Sequence, residues 1–483
     1  MATASLYSVQ NHHTGNFTLK ALKNLIMSGR EVLPLVEGGK GVAVSNGESA
    51  GAWAAAGGIG TFSGVNADSY DENGRVIPQV YRSKNRKERH EELIEYAIRG
   101  GIAQAQKAHE VSNGNGRIHM NVLWEMGGAE HILQSILQAT PGLIHGVTCG
   151  AGMPYRVAEI AAKFGISYYP IISSARAFRA LWLRSYNKNR EGLGGVVYED
   201  PWLAGGHNGL TNSENPLKPE DPMPRVKALR AQMNEYGLNN VPVIMAGGVW
   251  WLSDWEHWLD NPEIGPIAFQ FGTRPLLTKE SPISAAWKNR LLTLKKGDIY
   301  LNKFSPTGFY SSAVCNKFME DLKARSERQV AYTHETVGAH TESFKVGVVG
   351  NPVFLTPSDM ARVQAWQAQG FTKALRTPDS TLIFVTQDSA KEILQDQAAC
   401  MGCLSACHFS NWAQNESGST GRMPDPRSFC IQKTLQKISH SEEVDHTLMF
   451  SGHNAYRFGQ DPFYANGFIP TVKQLVERIV TGY

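Results

Sequence analysis

Four of the six cysteines in this 483-residue chain crowd together, at Cys400, Cys403, Cys407 and Cys430. Cys400-Met-Gly-Cys403-Leu-Ser-Ala-Cys407 puts three thiolates on one short loop, and Cys430 returns a fourth after a flexible stretch. A four-iron, four-sulfide (4Fe-4S) cluster takes four such thiolates. Structural zinc more often uses two separated short knuckles, so zinc is the rival and unliganded thiols are the third alternative. Crowding of this kind in a long chain does not read as a disulfide framework, and in a reducing compartment it points to metal. His207 is a different kind of candidate. It sits in Leu203-Ala-Gly-Gly-His-Asn-Gly209, beside glycines that let a ligand approach the backbone. A neutral imidazole there can take a carbon-bound proton, because its intrinsic pKa lies near the working pH. Against this stands the plain alternative that a given histidine among 15 is a surface or structural one. His119 and His145 are read in that plainer way, as core-facing or hydrogen-bonded. A third signal is glycine: Ala246-Gly247-Gly248 and Phe271-Gly272-Thr273-Arg274 offer backbone N–H groups free of side chains, as a phosphate requires. Turn geometry alone also explains glycines at such places.

These residues need a scaffold, and the chain supplies an obvious one. From about residue 33 to 275, short β-rich runs alternate with amphipathic stretches. Eight strands are predicted: 33–36, 59–62, 117–123, 143–149, 167–172, 194–199, 241–246 and 266–271. Helical patterns lie between them, among them 86–110, 129–137, 154–164, 174–186, 224–236 and 253–259. Eight βα units in one run argue for a closed α/β barrel, a (β/α)8 TIM barrel, with the small and polar strand ends (EGGKG, TCGAG, SSA, AGGH, AGGV, FGTR) on its catalytic face. Beyond Ser281 the pattern breaks. Helices are expected at 284–294 and 316–328, followed by an inserted lobe at about 330–395 with helices at 357–368 and 389–395. Two units follow: a barrel with an N-terminal extension over 1–300, and a smaller C-terminal lobe over 301–483 that carries the insertion and the cysteines.

Composition excludes several classes of function. The hydrophobic share is 42% and the charged share 19%, so a sizeable core is available. Formal charge is 47 minus 44, or +3, too small to argue for nucleic acid or a membrane surface. No apolar run approaches the roughly 18 to 20 residues of a membrane helix, and the start MATASLYSVQNHH lacks a signal-peptide pattern, so a cytoplasmic location is expected. Arg176, Arg179, Arg184, Lys188 and Arg190 form a basic stretch after the fifth strand. It reads either as a solvated helix face or as a dock for an acidic carrier.

EGGKG, AGGHNG, AGGV and IAFQFGTR, in that order over residues 30–280, resemble the nitronate monooxygenase family, formerly 2-nitropropane dioxygenases, and related FMN-dependent enoyl reductases. The resemblance implies FMN held by Gly38, Gly39, Asn121, Thr148, Ser173, Gly205, Gly206, Gly247, Gly248, Gly272 and Thr273, with His207 as the base. The chain departs from the family's pattern at Lys40, where many relatives have methionine, and at Glu37, where many have glutamine. The cysteines, together with YYPIISSARAFRAL (168–181), KFSPTGF (303–309) and SGHNAYRF (451–458), resemble one branch of that family, an iron-sulfur dehydrogenase/isomerase acting on acyl-carrier-protein in bacterial unsaturated fatty-acid synthesis. What this implies is FMN-dependent oxidation of an acyl thioester to an enoyl product, with a double-bond shift by the same base open to it and oxygen as electron acceptor. The alternatives are a nitronate monooxygenase and an NAD(P)H-dependent enoyl reductase, although no separate G-x-G-x-x-G follows a strand. A flavin and iron-sulfur redox sensor is the non-enzyme alternative, and a homodimer is an assembly open to all of them.

Overall fold

The eight β-rich runs form parallel strands, here β1 (Leu35–Glu37), β2 (Ile59–Ser63), β3 (Arg117–Leu123), β4 (Gly146–Gly150), β5 (Ser167–Ile172), β6 (Val196–Glu199), β7 (Val243–Ala246) and β8 (Ile267–Phe271). The computed structural model describes residues 22–347, 350 and 352–482; most of the expected N-terminal extension lies outside them. Each strand pairs with the next, and β8 returns to β1 through Phe269 opposite Leu35, so the barrel closes. Barrel strands are buried on both faces, which is why they read as nearly continuous apolar runs. Val36, Ile59, Tyr169, Val197, Ile244 and Ala268 fill the inside, while Leu35, Phe62, Met120, Val147, Val196 and Phe269 face the helices in the larger core.

An antiparallel hairpin, Leu25–Met27 with Arg30–Val32, adds Met27 and Val32 to the inner cluster. Ser28 Oγ in its turn lies 2.9 Å from His119 Nε2 and 2.8 Å from the Tyr169 hydroxyl. His145 Nδ1 accepts from Ile118 N–H at 3.1 Å. Both histidines are therefore structural, in line with their plainer reading. The long helix Arg86–Ser112 starts on the Asn85 side chain, which accepts from Lys87 N–H, and stops at Asn113 in left-handed geometry. The expected helix at 253–259 is a 3-10 segment, Leu252–Trp258.

Beyond residue 298 the chain folds back onto the barrel's catalytic face. Ile299–Asn302 and Ser311–Val314 form an antiparallel pair, and the second strand also pairs with Gly206–His207, placing Ser311 opposite His207. The insertion holds the two expected helices, at Pro357–Ala368 and Gln387–Ala398. It also holds a three-stranded sheet (Gln329–Ala331, Thr381–Val385, Lys373–Arg376) and a hairpin (Glu342–Lys345, Pro352–Leu355) around a separate core that includes Val330, Leu355 and Phe384. Two helices follow the cysteines: Ile431–His440, and Val472–Thr481, which opens on a Thr471/Gln474 capping box.

Candidate active site

Small residues at the C-terminal ends of the barrel strands leave room above the barrel, where one cavity encloses about 1540 Å³ free of protein atoms, open solvent at its mouth included. Strand β1 contributes Gly38, Gly39 and Lys40 to its wall, and β3 contributes Asn121. Gly39 packs so tightly on Asn121 that a Cβ there would stand 2.2 Å from the Asn121 Cβ. Gly205, Gly206 and His207 line the cavity after β6, Gly247 and Gly248 after β7, and Gly272 with Thr273 after β8. Ten of the twelve residues expected to hold a flavin, or to act on its substrate, thus meet in one place. Thr148 and Ser173 do not line the cavity. Thr148 is buried within β4, and Ser173 donates from Oγ to the Gly209 carbonyl at 3.1 Å, bracing the loop after His207.

At the phosphate end, Gly247 and Gly248 have φ of +87° and +78°, a backbone that side chains rarely adopt. A Cβ at Gly272 would meet nothing within 4 Å, so the backbone there faces open space. These bare loops fit the phosphate of FMN in kind: N–H groups without side chains in the way. The 451–454 segment reinforces them. Gly452 N–H donates to Thr273 Oγ1 at 3.0 Å, and Asn454 Nδ2 donates to the Gly248 carbonyl at 2.6 Å. Gly205 makes room for this crossing, since a Cβ on it would lie 2.6 Å from Gly452 N. SGHNAYRF entered the sequence analysis only as a resemblance; its part in the phosphate end is legible only in three dimensions.

His207 is half-buried, with Nε2 2.6 Å from Ser305 Oγ and its ring edge-on to Phe450 at 5.3 Å. Burial lowers its pKa to about 4, so the ring is neutral at physiological pH. Two carboxyls stand near the cavity: Glu37, noted in the sequence only as a departure from the family's pattern, and Glu199, which no local pattern singled out. Glu199, on the wall at the end of β6, is pushed up to about 8 by burial and by neighbouring Asp200, so it is largely protonated at neutral pH. Glu37, at the end of β1, pairs with Lys40 at 3.3 Å and accepts from Ser49 Oγ at 2.7 Å. Burial raises Glu37 and lowers Lys40.

The cysteine loop forms part of the cavity roof. Cys403 and Leu404 line it, Leu404 bridges to Met126, and Gly127 N–H donates to the Cys403 carbonyl at 3.0 Å. Arg89 Nε donates to the Cys400 carbonyl at 3.0 Å, tying the loop to the long helix. All four cysteines gather here. A hydrogen bond from Cys407 draws the Cys400 thiol down to about 6, while that same bond and burial raise Cys407. Cys403 is raised by burial and by Cys430 and Cys400, and Cys430, raised chiefly by burial, stands at about 11. The donor set suits a cluster in kind and number. Among the described residues, however, no three His, Cys, Asp or Glu side chains stand so that they could hold a metal ion, and Cys400 and Cys407 engage each other.

A family model described as nitronate monooxygenase matches residues 25–482. No curated protein matches the chain at a significant level. Among solved structures, the enoyl reductase domain of MlnA from the macrolactin biosynthesis cluster of Bacillus amyloliquefaciens shares the fold, with 92% of this chain and 93% of that one covered, 11% identity and a TM-score of 0.52. FabK from Thermotoga maritima matches over 92% and 91% at 14% identity with a TM-score of 0.48. Nitroalkane oxidase from Streptomyces ansochromogenes matches over 60% and 78% at 17% identity with a TM-score of 0.44.

Proposed function

The chain belongs to the nitronate monooxygenase family, whose members typically bind FMN, and from that premise we propose that it oxidises an acyl thioester, presented on an acidic carrier protein, to the α,β-unsaturated product. One observation carries the reading: a neutral histidine, His207, is held on the wall of the cavity, able to take the α proton. When bound, FMN supplies a two-electron acceptor for the β hydride. Gly247, Gly248, Gly272 and Thr273 would hold its phosphate, with Asn454 and Gly452 fixing those loops. Phe450 packs edge-on against the His207 ring. An imidazole neutral at physiological pH is in the protonation state that a base requires.

The substrate class rests on the wall opposite the barrel. Ile431, Leu435 and Ile438 recur on one face of the helix Ile431–His440 and line the cavity with Met126 and Leu404. Such a wall suits an acyl chain. Arg176, Arg179 and Lys188 are exposed on and after the helix Ala175–Arg184, which starts beside the catalytic face, and they offer charge to an acidic carrier. Arg184 is partly occupied, stacked over the Tyr155 ring at 4.3 Å. In the cysteine lobe we place a 4Fe-4S cluster on Cys400, Cys403, Cys407 and Cys430, a reading supported by their number and their spacing in the sequence. Oxygen remains the electron acceptor that the resemblance implies.

The family match itself favours a second reading, oxidation of a small nitronate with the same base. Anaerobic mixing of FMN-loaded protein with acyl-carrier-protein, acyl-CoA, a nitronate and NADPH in turn decides between them. Acyl thioesters should bleach the flavin absorbance, the carrier-bound one fastest. Bleaching by the nitronate alone would establish the second reading, and bleaching by NADPH alone would make the protein a reductase.

A further inference from the structure

Nothing in the proton transfer described so far uses Ser305, which lies 98 residues from His207 in sequence yet 2.6 Å from its Nε2. Ser305 is buried, but it does not stand alone. Its Oγ is 2.9 Å from Thr307 Oγ1 and accepts from Thr307 N–H at 3.3 Å. Thr307 Oγ1 accepts in turn from Phe309 N–H at 3.2 Å, and Phe309 is 42% exposed. A row of hydroxyls thus runs from the base toward solvent. The loop that carries it is clamped on both flanks of Ser305 by the cysteine lobe. Ser428 Oγ donates to the Phe304 carbonyl at 2.6 Å, and His408 N–H donates to the Pro306 carbonyl at 2.9 Å.

Counting donors gives the row a direction. No hydrogen bond engages His207 Nδ1 among the described residues, and the side chain lines the cavity. To accept a proton from a ligand there, Nδ1 must be bare, so Nε2 carries the hydrogen and Ser305 Oγ accepts it. The Ser305 hydroxyl then donates to Thr307 Oγ1, and both lone pairs of Ser305 Oγ are used.

We propose that Ser305 is the positioning residue of the base: it fixes the Nε2–H tautomer, turns Nδ1 to the cavity, and with Thr307 passes a proton outward as Nδ1 gains one. The inference rests on His207 being the base. One proton enters at Nδ1 from the substrate α-carbon; the Nε2 hydrogen moves to Ser305 Oγ, the Ser305 hydrogen to Thr307 Oγ1, and the Thr307 hydrogen to water. The ring stays neutral throughout, as its burial demands. Once product leaves, water in the cavity takes the Nδ1 hydrogen while the row runs back and restores the starting tautomer.

The test compares FMN-loaded wild type, Ser305→Ala, Ser305→Thr and His207→Gln. Nitrogen-15 shifts of labelled histidine, with the His207 signals assigned by their loss in His207→Gln, report the tautomer directly. Anaerobic flavin reduction by an acyl thioester is followed against pH. Wild type should show a protonated Nε2 and a bare Nδ1. Ser305→Ala should show mixed tautomers, a changed pH profile and a rate about 10- to 100-fold lower at normal FMN content, the usual cost of losing a residue that orients another; Ser305→Thr should retain most of the rate. A wild-type ring protonated at Nδ1 overturns the proposal whether or not any variant folds, and so does a Ser305→Ala protein with unchanged tautomer, rate and pH profile. A slow His207→Gln beside an unaffected Ser305→Ala sinks this inference alone, whereas a wild-type rate in His207→Gln sinks the assignment of the base.

Discussion

Three titratable side chains on the cavity wall come into question as carriers of a proton from carbon, His207, Lys40 and Glu199, and their settings differ; Glu199 is largely protonated already at neutral pH. Lys40 donates to the Gly38 carbonyl at 2.8 Å and pairs with Glu37, so two of its three ammonium hydrogens are engaged. Among the described residues, His207 keeps one ring nitrogen free of hydrogen bonds. Glutamine at position 207 keeps a polar side chain of similar reach but accepts no proton. FMN binding and the oxidised flavin spectrum should survive His207→Gln, while anaerobic reduction by an acyl thioester slows by roughly 100- to 10,000-fold, the usual cost of losing a general base. Exchange of substrate α protons with deuterated solvent should fall in parallel. Near-wild-type reduction in that variant would move the base to Lys40.

Among the elements, the cysteine loop is placed to matter beyond its sulfurs. It roofs the cavity through Cys403 and Leu404, and its neighbours Ser428 and His408 clamp the loop of Ser305. Anaerobically purified protein is expected to carry about four irons and four sulfides per chain. Cys403→Ser or Cys430→Ser should lose them and loosen the lobe, because the binding energy of a metal centre is also folding energy. Iron and acid-labile sulfide assays with limited proteolysis check both halves. Stoichiometric zinc without sulfide would rule the cluster out, and the mutual hydrogen bond of Cys400 and Cys407 would then describe a thiol pair or a zinc site in waiting.

Over the whole molecule, burial of histidines has a consequence for stability in acid. His119 is held down to about 3, and His145, His207 and His453 to about 4, in each case chiefly by burial. Between the ordinary value near 6.5 and these values the unfolded chain binds protons that the folded chain does not. Their stabilisation is therefore complete above about pH 6.5 and is lost as pH falls toward 4. Glu199 and Asp200, raised by burial to about 8 and about 6, act in the opposite sense, since the folded chain then binds the extra protons. Four groups outweigh two. The urea midpoint of the FMN-loaded protein should drop between pH 7 and pH 5 by an amount worth roughly 3 kcal/mol, at about 1.4 kcal/mol per group and pH unit. An unchanged midpoint would show that these histidines are not held neutral.

The sequence by itself determined the barrel, because parallel strands buried on both faces leave apolar runs that punctuating glycines set apart, and eight such runs allow closure. It also determined the glycines at the ends of β6, β7 and β8 and the place of His207 among them, since both are local demands of the backbone. The tertiary structure alone decided what surrounds them. Ser305 and Asn454 reach the site from residues 98 and 206 positions away from their partners, through hydrogen bonds that no local pattern encodes. The hairpin Leu25–Met27/Arg30–Val32 and the strands of the insertion are three to five residues each, too short for a period to emerge. The helix Gly47–Ala55 is built from small residues whose value is close approach: a Cβ on Gly51 would stand 2.7 Å from the Ala108 carbonyl of the long helix. Spacing alone brought four cysteines into one lobe; whether their sulfurs surround a common centre or face one another is a matter of side-chain direction, which spacing does not carry.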